Sequence, residues 1–255
     1  MIKAKIIDTN ESTIQNYGMC GYNSLKNDGY KRKTEWVKDH YTKGMKYKIL
    51  YSEDKKAVGG IECLPVEFAW RPVNGKGFMF IHCLYILKRD FKEKGYGLEL
   101  MDECIKDAKA QNMKGVAVVT RKGTFMQGNQ VFLKSGFEIV DKMKPDFELL
   151  ALKFDTETLN PKFKTFPPEI LQKYKKGLFI ITSDQCPYAI KSVTDITKIS
   201  KEKYQIVPNI IELRNYKDAQ KIPCAFGSFC IVLKGTIVAD HPISSGRFCN
   251  IMKKI

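Results

Sequence analysis

The chain has 255 residues, of which 44% are hydrophobic and 28% are charged, and its formal net charge is +15. This composition supports a packed core and excludes a disordered or collagen-like chain, and no apolar run reaches the ~20 residues that span a bilayer. Residues 2–8 alternate as in a strand and lack the apolar core of a signal peptide, so we expect a cytoplasmic protein that does not insert into a membrane.

The basic residues are spread along the whole chain. A basic surface attracts polyanions such as nucleic acid or a phosphorylated cofactor. No helix shows a basic stripe interleaved with aromatic residues, so nucleic-acid binding is not indicated. The eight cysteines include no Cys-x-x-Cys pair, and with three histidines no zinc pattern appears, so we predict no metal site.

Hydrophobic periodicity over the first 155 residues predicts a sheet with helices on its faces. The polar region 11–41 is compatible with a helix and is interrupted by turn residues at 27–29. The apolar run 77–87 suits a central strand buried on both faces. Residues 98–108 carry apolar side chains at helical spacing. Further strands are predicted at 2–8, 46–51, 56–63, 116–119, 137–140 and 147–152, and a short helix at 129–134.

The best domain boundary follows this region. Apolar periodicity fades over residues 154–177, where Pro161, Pro167 and Pro168 punctuate the chain. Beyond it, the pattern predicts the element order β-α-β-α-β-β-α. We therefore predict a first domain over residues 1–155, a linker over 156–172 and a second domain over 173–255.

Residues 92–97 read Lys-Glu-Lys-Gly-Tyr-Gly and lie between the central strand and the amphipathic helix. The start of a helix presents unpaired N–H groups and the positive end of its dipole. Glycines let the backbone approach an anion closely, and Lys92 and Lys94 add positive charge. The loop therefore predicts a phosphate-binding site. A bare Gly-x-Gly also makes an ordinary tight turn, and a dinucleotide-binding Rossmann loop would need a third glycine.

The run 81–140 resembles the core of the GNAT acetyltransferases. Their first signature, Arg/Gln-x-x-Gly-x-Gly/Ala after the fourth strand, is matched by residues 92–97 with Lys in the first position. Their second signature, a helix that begins at Asn and ends in aromatic-x-x-x-Gly-Phe, is matched by residues 129–137. The stretch 59–71 further resembles the YoaP-like branch. The resemblance implies an α/β fold, with a mixed, mostly antiparallel GNAT sheet flanked by helices and a C-terminal thioredoxin-like βαβαββα domain.

The resemblance also implies a function, which is the transfer of an acetyl group from acetyl-CoA to an amine of a small molecule or peptide. The cofactor diphosphate would lie on main-chain amides of the 92–98 loop, and the pantetheine arm would pair with the edge of the central strand. One N–H of that edge would polarise the thioester carbonyl. The residues expected to bind the cofactor are Tyr85, Ile86, Leu87, Lys92, Lys94, Gly95, Tyr96, Gly97, Leu98, Asn129 and Phe132.

Glu62 is the first candidate for the general base. It lies in an apolar strand, where burial would raise its pKa toward a useful range, although an ordinary polar residue on the solvent face is an equal alternative. His82 is the second candidate, and a hydrogen-bonded core histidine is the favoured alternative there. Phe132 stands where many GNAT enzymes have a proton-donating tyrosine. The thiolate would therefore leave unprotonated or take a proton from water or from Tyr85, or else the domain binds CoA and catalyses poorly.

Cys186, Pro187 and Tyr188 follow a predicted strand, precede a predicted helix and resemble a glutaredoxin active site. A cysteine at a helix start has a favoured thiolate. Ala189 replaces the second cysteine, so the site is a monothiol site or an inert one. This leaves a second hypothesis, a thiol-handling or binding protein whose GNAT domain is a CoA-binding accessory. A third, a basic modifier associated with nucleic acid, is weakened by the scattered charge, and the oligomeric state stays open.

Overall fold

The computed structural model describes residues 3–123 and 125–255, and the chain divides into two compact units. The N-terminal unit contains the residues up to Ala69 together with Val73–Phe163. The C-terminal unit contains Trp70–Pro72 and Lys164–Ile255. The division after Phe163 lies within the segment 156–172 that the sequence predicts as a linker.

The N-terminal unit is built on one large sheet. The strands of this unit are β1 (Ala4–Thr9), β2 (Lys46–Ser52), β3 (Ala57–Pro65), β4 (Val73–Asn74), β5 (Phe78–Ile86), β6 (Gly115–Arg121), β7 (Glu138–Met143), β8 (Phe147–Lys153) and β9 (Lys162–Phe163). The short strands β4 and β9 pair with each other. The other seven strands form a sheet in the order β1-β2-β3-β5-β6-β8-β7. Within the described residues, β5 and β6 are its parallel pair and its other neighbours are antiparallel. The predicted mixed, mostly antiparallel sheet is confirmed.

Helices cover both faces of this sheet. The helices are α1 (Asp28–Tyr41), α2 (Tyr96–Ala110) and α3 (Gln130–Leu133). Glu62 of β3 contacts Lys33 of α1, whereas the sulfur of the next residue, Cys63, lies 2.8 Å from that of Cys104 in α2. Because successive strand residues point to opposite faces, α1 and α2 pack on opposite sides of β3.

The turn residues 27–29 begin α1 instead of interrupting a helix. The Asn27 side-chain oxygen accepts the Tyr30 N–H at 3.0 Å, which is the hydrogen bond of a helix N-cap. Asp28 adds a negative charge to the first turn, where the helix dipole favours it. The predicted interruption is therefore wrong, because a turn-forming asparagine serves equally well as a cap.

The apolar face of α2 packs into the core beneath β3, β5 and β6. Met101, Cys104 and Ala108 are buried as predicted. Leu98 is 39% exposed, and Leu100 is buried. At ~100° per residue, Leu98 lies to one side of the stripe on which the three buried residues fall. None of the helices in residues 3–123 and 125–255 combines the length and the hydropathy that a membrane span requires.

The C-terminal unit contains a smaller sheet. Its elements are β10 (Leu178–Thr182), α4 (Ala189–Tyr204), β11 (Asn209–Glu212), α5 (Tyr216–Ala219), β12 (Cys230–Leu233), β13 (Thr236–Ala239) and α6 (Ser245–Met252). The four strands have the order β11-β10-β12-β13. β10 and β11 are parallel, and the other two pairs are antiparallel. The element order agrees with the order that the sequence predicts.

Candidate active site

Strands β5 and β6 pair only where they begin and then separate. Their parallel register runs from Phe78 opposite Gly115 to Ile81 opposite Val118. Beyond this point β5 remains paired with β3 as far as Ile86, and β6 remains paired with β8. Beyond Ile81 and Val118, β5 and β6 are therefore no longer paired with each other, and a gap opens between the two strands.

A β-bulge at His82 marks the point of separation. Cys63 of β3 pairs with Ile81 and Glu62 pairs with Cys83, so His82 is the extra residue on β5. Bulges bend a strand and increase its local twist. Phe78 to His82 are buried, whereas Cys83 to Ile86 are half-buried. The prediction of a strand buried along its whole length is therefore wrong for its second half, where β6 has moved away.

The main chain of β5 beside the gap alternates in direction. The Leu87 N–H donates to the Val58 C=O of β3 at 2.7 Å, so it points away from the gap. Because alternate residues of a strand direct their N–H groups to opposite sides, the Ile86 N–H faces the gap. Of the three edge positions that the sequence predicts, Ile86 is therefore the one whose amide can pair with a bound pantetheine arm. The predicted pairing of the Leu87 amide is wrong, because that N–H is bonded to β3.

Residues 92–97 form an open loop at the start of α2. Gly95 caps the helix with a φ of 86°, and Glu93 has a φ of 59°, so both lie in the left-handed region. A Cβ added at Gly95 or Gly97 would meet no described atom within 4 Å. Lys92 and Lys94 are exposed beside this space. An accessible, positively charged turn of this kind fits the diphosphate of coenzyme A.

The amides of this loop are not all available to a ligand. The Leu98 N–H donates to the Gly95 C=O at 2.8 Å, so the prediction that Leu98 holds phosphate is corrected. The N–H groups of Tyr96 and Gly97 open the first turn, where no earlier helical carbonyl exists to accept them. These two amides are the best placed to hold an anion.

The second signature forms α3 and packs into the core. Phe132 is 1% exposed, and its ring contacts that of Phe137 edge-on at 5.6 Å. The ring is part of the core around α3, and the contact of Phe132 with the cofactor stays a prediction. The Asn129 side-chain amide donates to Glu148 of β8 at 2.6 Å, which orients that residue at the start of α3.

Three polar side chains meet inside the sheet on the α1 side. Glu62 is fully buried, and one of its oxygens forms an ion pair with Lys33. The other, Oε1, lies 3.0 Å from His82 Nδ1. The side chains of both partners are also fully buried. The structure thus brings together the two predicted candidates for the base and adds a lysine.

The electrostatics of Glu62 differ from the prediction. Burial by itself raises the pKa of Glu62, but the Lys33 ammonium and the hydrogen bond with His82 outweigh it and lower the pKa to about 2. Glu62 is therefore a carboxylate at neutral pH and a very weak base. The prediction that burial tunes Glu62 for proton removal is wrong, because a buried cation compensates for burial.

Tyr85 lies on the same side of the sheet. Its hydroxyl accepts the Cys20 N–H at 3.0 Å and lies 3.1 Å from the Tyr47 hydroxyl. Burial raises the pKa of Tyr85 well above its ordinary value, so it stays protonated at neutral pH. Two hydroxyls that share one hydrogen bond retain one further hydrogen to donate.

Cys186 of the C-terminal unit lies just before α4. It is half-buried, and its carbonyl accepts the Ala189 N–H at 3.0 Å. Cys224 interacts with Cys230 in the core of the same unit. None of the eight cysteines, all of which lie in the described ranges, forms a disulfide. In the described part of the chain, no group of three or more His, Cys, Asp or Glu side chains is arranged to hold a metal ion.

Comparison with known proteins identifies the N-terminal unit. Residues 12–137 match the family model described as Acetyltransferase (GNAT) family. These residues form a GNAT acetyltransferase domain. Acetyl-CoA is the cosubstrate of this family, and the function of the GNAT domain is acetyl transfer. Residues 209–250 match the model described as YoaP-like.

Similar proteins match this chain over different shares of its length. The N-acetyltransferase YoaP of Bacillus subtilis (strain 168), named as uncharacterized, is 28% identical over 253 residues, which cover 98% of both chains. A GNAT acetyltransferase from Staphylococcus aureus Mu50 is 14% identical, with 60% of this chain and 100% of that chain covered and a TM-score of 0.46. The PaiA N-acetyltransferase of Thermoplasma acidophilum, solved with coenzyme A, is 15% identical, with 60% and 99% covered and a TM-score of 0.43.

The sequence did not predict Lys33 as the buried partner of Glu62. Lys33 lies on a helix that carries several other lysines, and a lysine is nearly always a surface residue. One signal was present, because the three- and four-residue spacing of Tyr30, Lys33 and Val37 places Lys33 on the apolar stripe of α1. A lysine on such a stripe needs a buried anion, and Glu62 is that anion.

Proposed function

We propose that this chain is an N-acetyltransferase in which His82 accepts the proton of the amine and Glu62 orients His82. The observation that carries the proposal is the position of His82, which lies on the bulge where β5 and β6 part and is bonded through Nδ1 to a buried carboxylate. An ionised Glu62 accepts the Nδ1–H, so the tautomer with a lone pair on Nε2 is favoured. A neutral imidazole held in this way is a suitable base near pH 7.

Binding is proposed to use two main-chain features. The amides of Tyr96 and Gly97, with Lys92 and Lys94 nearby, would hold the diphosphate. The Ile86 N–H would hold the thioester carbonyl and favour the negative charge that develops on it. Acetyl-CoA supplies a thioester carbonyl that an amine can attack. Asn129 is retained as a proposed cofactor contact from the second signature.

Tyr85 is proposed as the group that assists departure of the thiolate. Burial raises the pKa of Tyr85, so its hydroxyl keeps its proton at neutral pH and would stabilise the thiolate by donating a hydrogen bond, while water supplies the proton that completes the thiol. The pair of hydroxyls at Tyr47 and Tyr85 retains one hydrogen for this purpose. Replacement of Tyr85 by Phe is expected to reduce kcat and to leave CoA binding unchanged.

The experiment that tests the proposed function follows release of free CoA from acetyl-CoA across a library of small-molecule and peptide amines. The wild-type chain is expected to release CoA with at least one amine, whereas His82→Gln is expected to bind acetyl-CoA with unchanged affinity and to lose ~10²–10⁴-fold in kcat. A wild-type chain whose melting temperature does not respond to acetyl-CoA would overturn the proposal. A His82→Gln variant of undiminished kcat would remove His82 from it.

The C-terminal unit supports a second candidate function. We infer that it is a thioredoxin-like domain, with residues 156–172 as the linker, and that Cys186 handles thiols. The strand order β11-β10-β12-β13 and the position of Cys186 before a 16-residue helix support this. Reaction with iodoacetamide well below pH ~8.5 is expected of Cys186, and a Cys186→Ser variant is the control. A thiol that reacts only above that pH would contradict it.

The acceptor is proposed to be a small-molecule or peptide amine in the cytoplasm. Nucleic acid is not proposed as a partner, because the basic residues are scattered along the chain. Retention on DNA or RNA that falls steeply with salt would contradict this.

A further inference from the structure

Lys33 is a charged group inside the core of the GNAT domain. Its side chain is fully buried, and its ammonium lies 4.3 Å from the centroid of the Trp36 ring and 5.9 Å from that of Tyr47. Removal of an ammonium from water is costly unless an anion compensates for it. Glu62 is that anion, and the aromatic faces add a weaker attraction.

Glu62 divides its two oxygens between two partners. Oε2 is paired with Lys33, and Oε1 is bonded to His82 Nδ1 at 3.0 Å. These residues belong to α1, β3 and β5. One cation and one anion balance when His82 is neutral, so the buried cluster carries no net charge in that state.

We infer that Lys33 is a positioning residue of the acetyl-transfer site, which holds Glu62 as a carboxylate so that Glu62 orients His82 and does not take the proton itself. This inference rests on the proposed function of His82. It explains why a carboxylate and an imidazole, both able in principle to act as the base, are present together. The Lys33 ammonium keeps Glu62 ionised, so His82 and not Glu62 accepts the proton.

The other groups around Glu62 do not replace Lys33. Glu62 acts electrostatically on His40 and Tyr41 of α1, on Tyr47 of β2 and on Cys63, whose side chain lies on the other face of β3. His82 of β5 is bonded to Glu62 directly. Burial lowers the pKa of His40 to about 4, so its imidazole is neutral at pH 7. Burial raises the pKa values of Tyr41, Tyr47 and Cys63, so these groups are also uncharged. Lys33 is therefore the cation on which the ionisation of Glu62 depends.

Replacement of Lys33 by Met removes the charge and keeps most of the shape. Burial then prevails at Glu62, and the Glu62–His82 pair retains one proton to a higher pH. Replacement of Glu62 by Gln acts in the opposite direction, because His82 then faces the Lys33 ammonium without a compensating anion. The two variants therefore predict shifts of opposite sign at His82.

The test is an NMR titration of the imidazole signals in the absence of acetyl-CoA. The chain contains three histidines, at positions 40, 82 and 241, so the His82 signal is assigned by its loss in His82→Gln. The His82 midpoint is expected to rise by ~1–3 pH units in Lys33→Met and to fall in Glu62→Gln. Lys31→Met, at an exposed position of the same helix, is the matched control and is expected to leave the midpoint unchanged.

An unchanged or lowered midpoint in a folded Lys33→Met variant would overturn the inference, and so would an unchanged midpoint in Glu62→Gln. If Lys33→Met does not fold, the Glu62→Gln titration still decides. In activity, the acid limb of the pH profile of kcat is expected to move up in Lys33→Met by the same amount, with recovery at high pH, whereas a merely structural defect would lower kcat at every pH. A His82 midpoint that responds as expected in a chain without acetyl transfer would refute the proposed function and leave the coupling of Lys33 to His82 intact.

Discussion

Acid is expected to weaken the N-terminal unit through Glu62. Its pKa is lowered from an ordinary 4.5 to about 2 in the folded chain. At ~1.4 kcal/mol for each unit of pKa, this difference amounts to about 3 kcal/mol of unfolding free energy. Because the folded pKa lies below the unfolded one, the contribution is complete above pH 4.5 and is lost as the pH falls toward 2.

Urea unfolding measures this loss. Trp36 lies beside the cluster, so its fluorescence in a Trp70→Phe background reports on the N-terminal unit. The double variant Lys33→Met with Glu62→Gln removes the titrating carboxyl and its counter-ion together. Between pH 5 and pH 2, its unfolding free energy is expected to fall by about 3 kcal/mol less than that of the parent chain.

The comparison with the double variant separates Glu62 from the other carboxyl groups, which titrate in both chains. An equal loss in the two chains would show that Glu62 has the same proton affinity folded and unfolded. That result would refute the argument that Lys33 and His82 together outweigh burial.

Three further changes have defined outcomes. Gly97→Ala is expected to leave the melting temperature unchanged, because no described atom lies within 4 Å of the added Cβ, and to weaken acetyl-CoA binding measured by calorimetry at least tenfold, since the methyl group enters the phosphate space. Gly227→Ala is expected to destabilise the C-terminal unit by more than ~2 kcal/mol in urea, because its Cβ would lie 2.2 Å from the Trp70 carbonyl oxygen at a φ of 68°. Asn27→Ala is expected to cost about 1 kcal/mol through loss of the α1 cap, and no loss in urea unfolding would contradict the capping role.

The geometry of the 92–97 loop was predictable because its properties are local. A left-handed Gly95, two lysines and the start of an amphipathic helix fall within a few consecutive residues. Anion binding at a helix start depends on those residues and little else. The order of strands and helices was predictable for the same reason, since hydrophobic periodicity acts over one element at a time.

The roles of Glu62 and His82 were not predictable in this way. Burial of Glu62 follows from its apolar strand, but the sign of its pKa change depends on Lys33, which is 29 residues away in the chain. Periodicity does not reveal which cation a buried carboxylate meets. The sequence therefore pointed to Glu62 and His82 but predicted the wrong sign for the change in the Glu62 pKa, and the catalytic role of either residue stays a prediction.

Local patterns in the amino-acid order were sufficient to place the 92–97 loop, the short helix of the second signature and the boundaries of most elements, because each depends on neighbours within one or two turns. Long-range packing alone decided that β5 parts from β6 at His82 and that α1 delivers Lys33 to Glu62. A bulge is a property of two paired strands, and an ion pair between a helix and a sheet exists only once the chain has folded.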